Sequence, residues 1–244
     1  MKDISLLIHT CDNYSNFWTG MLFSLDFNWD FNKIPVYWAS EEISIHEHNF
    51  TCRNFSYKPN KQIQQILTGK TDKNGFSNRM ITALKQIDTE WVIYMQEDMW
   101  LLSKIDYEVM SKLLLFAQIS KADSIKIHTK LGYYDSYRLE NTNVTIDNIK
   151  LQKYSEGDNF LHSHNATIWN KQYLIDNILN GEDPWTNEVE GSKRMSSKPH
   201  NHYHYNIHWY SQPGVCEKGE YGRDFYTLAP IFDDRMEHKL KFNF

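Results

Sequence analysis

The sequence lacks any apolar run that approaches the length of a membrane span. A spanning helix needs about 20 consecutive apolar residues, whereas the apolar stretch near the amino terminus covers only residues 4–8. That stretch is also too short for a secretory signal, and no cleavage pattern follows it. Cysteine is scarce: Cys11, Cys52 and Cys216 are odd in number and have no metal-binding spacing, which predicts reduced thiols. These absences predict a cytoplasmic protein without a transmembrane segment.

Clustered positive charge is missing as well. The chain carries 26 Lys and Arg against 31 Asp and Glu, for a net charge of −5, and its cations are scattered. Because nucleic acid is bound by concentrated positive potential, we expect no nucleic-acid partner. Aromatic side chains, in contrast, make up 15% of the 244 residues. Some will fill the core, and others suit stacking on the apolar faces of sugars and bases.

Hydrophobic periodicity predicts strands that alternate with helices in one α/β domain. Strands are predicted at residues 4–8, 35–39, 91–95, 124–128 and 166–169. Helices are predicted at residues 14–25, 61–67, 106–119 and 171–179, together with one that Ser77 or Asn78 caps and that leads to residue 91. Residues 133–153 are polar and poorly periodic, which favours a peripheral hairpin or lobe.

The chain is organised around residues 91–98, WVIYMQED. The apolar part predicts a central strand that is buried on both faces. It ends in Glu97 and Asp98, although a buried strand has no structural need for carboxylates there. Open α/β sheets bind ligands at the carboxyl ends of their strands, so we interpret the two acids as the floor of a site. The alternative is that they are solvated residues at the start of a loop.

A histidine-rich segment lies near the carboxyl end. If it is extended, His200, His202 and His204 share one face. Histidines on one strand rarely complete the coordination of a metal by themselves. We therefore expect most of them to be surface or hydrogen-bonding residues, with at most one metal ligand.

A second acidic cluster surrounds Trp185 and contains Asp183, Glu188 and Glu190. Mg²⁺ and Mn²⁺ prefer carboxylate and diphosphate oxygens, which makes Asp98 a candidate bridge between a metal and a pyrophosphate. Such a metal neutralises a leaving nucleoside diphosphate. Inverting glycosyl transfer also needs a carboxylate to take the proton of the acceptor hydroxyl, and a tryptophan beside that base gives a sugar acceptor a face on which to stack.

Five segments, spread over roughly residues 4–225, together resemble small bacterial and large-virus glycosyltransferases of the GT-A fold. They are TCD at 10–12, FSNRM at 76–80, YMQEDM at 94–99, ATIWN at 166–170 and PWTNEVEGS at 184–192. The resemblance implies a Rossmann-type mixed sheet flanked by helices. It also implies a nucleotide-sugar-binding half, about residues 1–128, and an acceptor-binding half, about residues 129–244.

The resemblance further implies roles for individual residues. The family's metal motif is usually Asp-x-Asp, and here Gln96, Glu97 and Asp98 take its places, with Asp98 on the metal. By the same resemblance, Thr10 and Asp12 would lie against the base and ribose, Arg79 near the nucleotide, Glu188 would be the catalytic base, and His204 or His208 would complete the metal shell. The composition of the acidic cluster itself leaves Asp183 or Glu190 as the other candidate base and places Trp185 and Glu190 toward the acceptor.

The leading hypothesis is a metal-assisted, inverting glycosyltransferase. It would move a hexosyl or deoxyhexosyl group from a nucleoside-diphosphate sugar to a glycan or other hydroxyl acceptor, with Mn²⁺ or Mg²⁺ as cofactor. One alternative is a non-catalytic carbohydrate-binding module, which would bind sugars without any nucleotide. A second alternative is a metal-dependent hydrolase built on the histidine-rich segment.

Overall fold

The computed structural model describes residues 1–52, 55–128, 138–158, 160–210, 215–217, 220–221, 226 and 228. Its strands are β1 Ile4–His9, β2 Val36–Ser40, β3 Phe50–Cys52, β4 Phe55–Tyr57, β5 Gln64–Leu67, β6 Trp91–Met95, β7 Ser124–Ile127, β8 Leu139–Ile146, β9 Ile149–Tyr154, β10 Thr167–Asn170, β11 His202–Tyr205, β12 Cys216–Glu217 and β13 Glu220–Tyr221. Its α-helices are α1 Ser15–Asn28, α2 Phe76–Lys85, α3 Tyr107–Ser120, α4 Lys171–Asn177 and α5 Pro184–Ser196, and short 3₁₀ turns occur at Asp12–Tyr14 and Lys73–Gly75.

One nine-stranded mixed sheet, in the order β5-β2-β1-β6-β10-β7-β11-β9-β8, forms the centre of the molecule. Strands β5, β2, β1 and β6 run parallel to one another, and β10 runs antiparallel to both β6 and β7. Side chains alternate between the two faces of the sheet. Ile93 packs with the core residues of α1 and α3 on one face, and Val92 packs with those of α2 and α4 on the other. This architecture confirms the predicted α/β fold with a mixed sheet flanked by helices.

The elements predicted from long apolar or amphipathic segments were correct in type and position. All five residues of β6 are buried, as expected for a central strand, although one of its two neighbours is antiparallel. The helix predicted at 106–119 is α3, and the carboxylate of Asp106 caps it by accepting hydrogen bonds from the N–H groups of Glu108 and Val109. The predicted peripheral hairpin corresponds to β8 and β9 at one edge of the sheet, while residues 133–137 lie outside the described residues.

Three local predictions were wrong. Residues 61–67 do not form a helix: β5 pairs with β2, and the side chain of Gln65 donates to Trp38 O and Ser40 Oγ. Neither Ser77 nor Asn78 caps α2, because the helix already begins at Phe76. Finally, α4 ends at Asn177 rather than at residue 179.

Ser77 and Asn78, which do not cap α2, have another structural role. The Oγ of Ser77 accepts a hydrogen bond from the N–H of Glu182, and Oδ1 of Asn78 accepts one from the N–H of Gly181. These bonds attach the start of α2 to the segment that leads into α5. Within the described ranges, no helix combines the length and apolar composition that a membrane crossing requires.

Candidate active site

A cavity of about 610 Å³ lies where β1, β2 and β6 end. Because these strands are parallel, their carboxyl ends meet at the same edge of the sheet. The last residue of β1 (His9), the first residue after β2 (Glu41) and the first residue after β6 (Gln96) all line it. The cavity brings together seven of the predicted site residues: Thr10, Arg79, Gln96, Glu97, Asp98, Trp185 and Glu188.

The turn after β6 supplies the acidic floor. Glu97 is buried, and Asp98 follows it with its backbone carbonyl accepting a hydrogen bond from the N–H of Val215. Burial, and then the neighbouring Asp98 carboxyl, raise the pKa of Glu97, and burial raises the pKa of Asp98. Two adjacent carboxylates removed from water are costly unless a proton or a cation is also bound. The pair therefore suits a hard divalent cation, whose preferred ligands are carboxylate oxygens.

The described part of the chain does not supply a complete protein cage for such a cation: it holds no group of three or more His, Cys, Asp or Glu side chains placed to bind a metal ion. His208 is exposed and does not line the cavity: the chain there pairs with the segment after Asp98, with Leu102 N–H donating to Trp209 O. Its role as a metal ligand stays a prediction. Mg²⁺ and Mn²⁺ sites are commonly completed by water and substrate phosphate, so two carboxylates fit a substrate-completed site.

Arg79 supplies positive charge to the cavity wall. It lies in the first turn of α2, where a cation is unfavourable against the helix dipole unless an anion is close. That anion is Glu41, whose carboxylate oxygen lies 3.2 Å from the guanidinium, and Thr71 accepts a further hydrogen bond from Arg79. Glu41 was not predicted as a site residue, although it directly follows the buried strand β2, much as Glu97 follows β6.

Asp12 does not line the cavity, but it stabilises the loop after β2, which forms one cavity wall. Its carboxylate accepts hydrogen bonds from the N–H groups of Glu41, Glu42 and Ile43, and its own N–H donates to Oε2 of Glu41 at 3.0 Å. Asp12 thus fixes the loop after β2 and orients Glu41. Thr10, which does line the cavity, accepts a hydrogen bond from Nε1 of Trp18 at 2.9 Å.

The amino-terminal part of helix α5 forms another wall of the cavity. Asp183 is its N-cap, accepting from the N–H of Thr186 at 3.0 Å and from its hydroxyl at 2.8 Å. Trp185, which is 71% exposed, and Glu188 line the cavity. Glu190 instead forms an ion pair with Lys193 at 2.6 Å on the surface. Of the four candidates in this cluster, the structure brings Trp185 and Glu188 to the cavity, and it does not bring Asp183 or Glu190 there.

A close backbone approach positions α5. A Cβ atom added at Gly191 would overlap Nδ1 of His162, so only glycine allows this contact without a shift. The hydroxyl of Ser192 accepts from the N–H of His162 and donates to its carbonyl, both at 3.0 Å. One turn earlier, Oε1 of Glu188 accepts from the N–H of His164 at 2.5 Å. Three residues of the PWTNEVEGS segment, Glu188, Gly191 and Ser192, therefore contact residues 162–164.

An aromatic layer beneath the cavity was not predicted. The rings of His9 and His164 flank Phe76, with centroid distances of 4.9 and 4.8 Å, and the ring of Tyr94 lies beside both histidines. Burial, followed by the nearby Arg79 and His164, lowers the pKa of His9 to about 3. His9 and His164 line the cavity, but isolated histidines in an extended run give no periodic signal that would have identified them.

The histidine-rich segment forms β11 between β7 and β9. His202 makes hydrogen bonds with Oγ of Ser124 at 2.7 Å and with the hydroxyl of Tyr173 at 3.1 Å, and Nε2 of His204 bonds to the carbonyl of His128 at 3.0 Å. The hydrogen-bonding role that we expected is confirmed for these two residues. They are buried rather than on the surface because β11 lies inside the sheet.

No protein-family model and no curated protein sequence matches the chain. Solved structures do match it. Residues 1–349 of S. aureus TarS in complex with UDP-GlcNAc align with a TM-score of 0.54 and 14% identity, over 94% of this chain and 66% of that chain. The fold is GT-A-like. This chain also aligns with a CMP:2-keto-3-deoxy-manno-octonic acid synthetase complexed with CTP. The TM-score is 0.51 and the identity 9%, over 96% of this chain and 100% of the synthetase chain.

This chain is much shorter than another S. aureus TarS structure that it matches. The two align with a TM-score of 0.50 and 14% identity, over 85% of this chain but only 36% of the TarS chain. At such low identity the likeness is a likeness of fold. The reaction therefore has to be argued from the residues of the site.

Proposed function

We propose that the protein is a glycosyltransferase that moves a sugar from a nucleoside-diphosphate sugar to a glycan or other hydroxyl acceptor, with inversion and with the help of Mn²⁺ or Mg²⁺. One observation carries the proposal. Segments that are distant in the sequence and chemically suited to the three parts of this reaction converge on one cavity: the acids after β6, Arg79 in α2, and Trp185 with Glu188 in α5.

The donor is proposed to lie against the first 128 residues. Thr10, Glu41, Arg79 and Gln96 form a polar wall for the nucleotide, and Asp98 with Glu97 would hold the cation beside its diphosphate. When bound, the cation supplies Lewis-acid neutralisation of the leaving diphosphate. The complexes of the structural neighbours with UDP-GlcNAc and with CTP support a nucleotide ligand for this fold.

The acceptor is proposed to lie against the second half of the chain, residues 129–244. The exposed indole of Trp185 offers a stacking surface beside the carboxylate of Glu188. Glu188 is the better candidate base because the carboxylate of Asp183 is already engaged in capping α5. Glu188 would take the proton of the acceptor hydroxyl as that oxygen attacks the donor carbon.

A second candidate is nucleotidyl transfer. It is favoured by the match to the CTP-bound synthetase, which this chain covers along its entire length. That reaction uses a nucleoside triphosphate and releases pyrophosphate, whereas glycosyl transfer uses a diphosphate sugar and releases a nucleoside diphosphate. The two candidates therefore predict different ligands for the same cavity.

The test is thermal unfolding of the purified protein with UDP, GDP, dTDP, CMP and CTP, each with Mn²⁺ and with EDTA. A ligand that binds only the folded state adds about 2.7 kcal/mol of stability at a hundredfold excess over its dissociation constant. We expect a metal-dependent shift with one nucleoside diphosphate. It should be lost in Asp98→Asn and kept in the control Asp88→Asn, which changes an exposed carboxyl outside the cavity.

Other outcomes have distinct meanings. A shift with CTP alone would favour nucleotidyl transfer. No shift with any nucleotide, combined with binding of free sugars, would replace the proposal by a carbohydrate-binding module.

A further inference from the structure

His164 contacts helix α5 at two points. Its backbone N–H donates to Oε1 of Glu188 at 2.5 Å, and Nε2 of its ring lies 3.1 Å from the carbonyl oxygen of Pro184. Because a carbonyl oxygen only accepts hydrogen bonds, Nε2 carries the hydrogen and donates it. Pro184 is the first residue of α5 and Glu188 lies one turn later. One residue therefore binds both the start of the helix and the side chain of the candidate base.

The surroundings make this arrangement rigid. His164 is itself only 6% exposed, so its N–H and its ring nitrogen would be poorly solvated if these two part-buried hydrogen bonds broke. The preceding residues are held as well, since Ser192 exchanges two hydrogen bonds with the backbone of His162, which also packs against Gly191. The backbone N–H of residue 164 is consequently fixed relative to α5.

The bond to Glu188 leaves the carboxylate free to react on one side. Oε1 is occupied by this bond, and no other described residue forms a hydrogen bond with Oε2. The second oxygen of a cavity-lining carboxylate is therefore available to an incoming hydroxyl.

From this geometry we infer that His164 is a positioning residue: its ring bond to Pro184 keeps its own N–H on Oε1 of Glu188 and so directs Oε2 toward the acceptor. The inference rests on the proposed function, because it assigns a purpose to the orientation of the base. It adds a residue that no motif in the sequence marks and that acts through Glu188 rather than on the substrate.

The test compares three variants that differ in whether the side chain can donate a hydrogen bond and from which position. In His164→Gln the amide nitrogen takes the place of Nε2, in His164→Asn it takes the place of Nδ1, and in His164→Phe the ring remains without a donor. Turnover is measured as Mn²⁺-dependent hydrolysis of UDP-GlcNAc and of GDP- and dTDP-sugars, with water as the acceptor. Donor binding is measured in parallel by the nucleotide-induced shift of the unfolding midpoint.

We expect His164→Phe and His164→Asn to lower kcat by about 100-fold, the loss that a displacement of roughly 1 Å causes at a reacting group. KM for the donor and the nucleotide-induced shift should stay as in the wild type, and His164→Gln should recover most of the rate. Equal losses in all three variants, or full activity in His164→Phe, would overturn the positioning role.

A double-mutant cycle between His164→Phe, which removes the ring bond to Pro184, and Glu188→Ala, which removes the acceptor of the backbone N–H, provides a measurement that does not need turnover. If the ring bond holds the N–H on Oε1, the two changes in the free energy of unfolding are non-additive, so additive changes would reject the positioning role. In contrast, a wild-type protein that neither binds nor hydrolyses any sugar nucleotide would reject the proposed function, whatever the cycle shows. The two failures are therefore distinguishable.

Discussion

The guanidinium of Arg79 lies 3.2 Å from the carboxylate of Glu41, and only 7% of each side chain is exposed. The pair connects the start of α2 to the loop that follows β2, so it fixes two walls of the cavity relative to each other. Charges that are buried together are tolerated because each compensates for the water that the other has lost.

Removing one member of this pair should therefore destabilise the protein. We expect Arg79→Met to lower the free energy of unfolding by about 3 kcal/mol, because the carboxylate of Glu41 is left buried without its counter-charge. Urea denaturation measures the change. The double variant Arg79→Met/Glu41→Gln should recover more than half of the loss, and a single variant that is as stable as the wild type would show that the pair does not compensate in this way.

The contact between Gly191 and His162 predicts an unusual response to alanine. In a helix, Gly→Ala normally stabilises by about 1 kcal/mol. Here the added Cβ overlaps a ring that is fully buried against Trp169, so we expect Gly191→Ala to destabilise by about 2 kcal/mol, the cost of an overpacked core.

The control is Lys193→Ala in the same helix, at an exposed position, where the change should stay within about 0.5 kcal/mol. Adding His162→Ala to Gly191→Ala should remove the overlap and restore part of the lost stability. Chemical denaturation of the three variants and the wild type checks the argument, and a stabilised Gly191→Ala protein would contradict the close approach.

The buried His9 predicts a pH dependence of stability. Its pKa is lowered to about 3 in the folded protein by burial, so between that pH and about 6.5 the unfolded chain binds a proton that the folded protein does not. The contribution of neutral His9 to the free energy of unfolding is therefore fully present above pH 6.5. It decreases by about 1.4 kcal/mol for each pH unit below that value.

Comparison with His9→Gln isolates this contribution. The raised pKa values of Glu97 and Asp98 have the opposite effect on stability over part of the same pH range. Because these carboxyls take up protons in the folded state before they do so in the unfolded chain, they stabilise the folded protein as the pH falls. They are present in both proteins and cancel in the difference. Urea unfolding between pH 4 and pH 7 should show a wild-type curve that falls more steeply toward acid than that of the variant, and parallel curves would contradict the assignment.

Long apolar segments of the sequence allowed correct predictions of structure, whereas the short segment that forms β5 did not. Strand β6 was predicted because a run of apolar residues flanked by helical segments has few other solutions in an α/β protein. The short edge strand β5 was taken for a helix because four residues give no clear period, and pairing with β2 decided its structure.

The same limit applies to the site. Glu97 and Asp98 were identified by their position at the end of a central strand, a rule that depends on topology alone. Asp12 and Asp183 look equally acidic in the sequence, but in the structure their carboxylates bind backbone N–H groups. His164 was missed because its importance comes from contacts with α5, which lies twenty residues further along the chain.

The carboxylates around Trp185 allow the base to be tested with matched substitutions. We expect Glu188→Gln to lower turnover by about 10²–10⁴-fold, the usual contribution of a general base, while donor binding is unchanged. Asp183→Asn should keep the helix cap, because asparagine caps as well as aspartate, and should keep turnover too. Glu190→Gln changes a surface ion pair of the same helix and serves as the control. If Asp183→Asn loses turnover and Glu188→Gln retains it, Asp183 is the base, and α5 must then shift on substrate binding to release that carboxylate from Thr186.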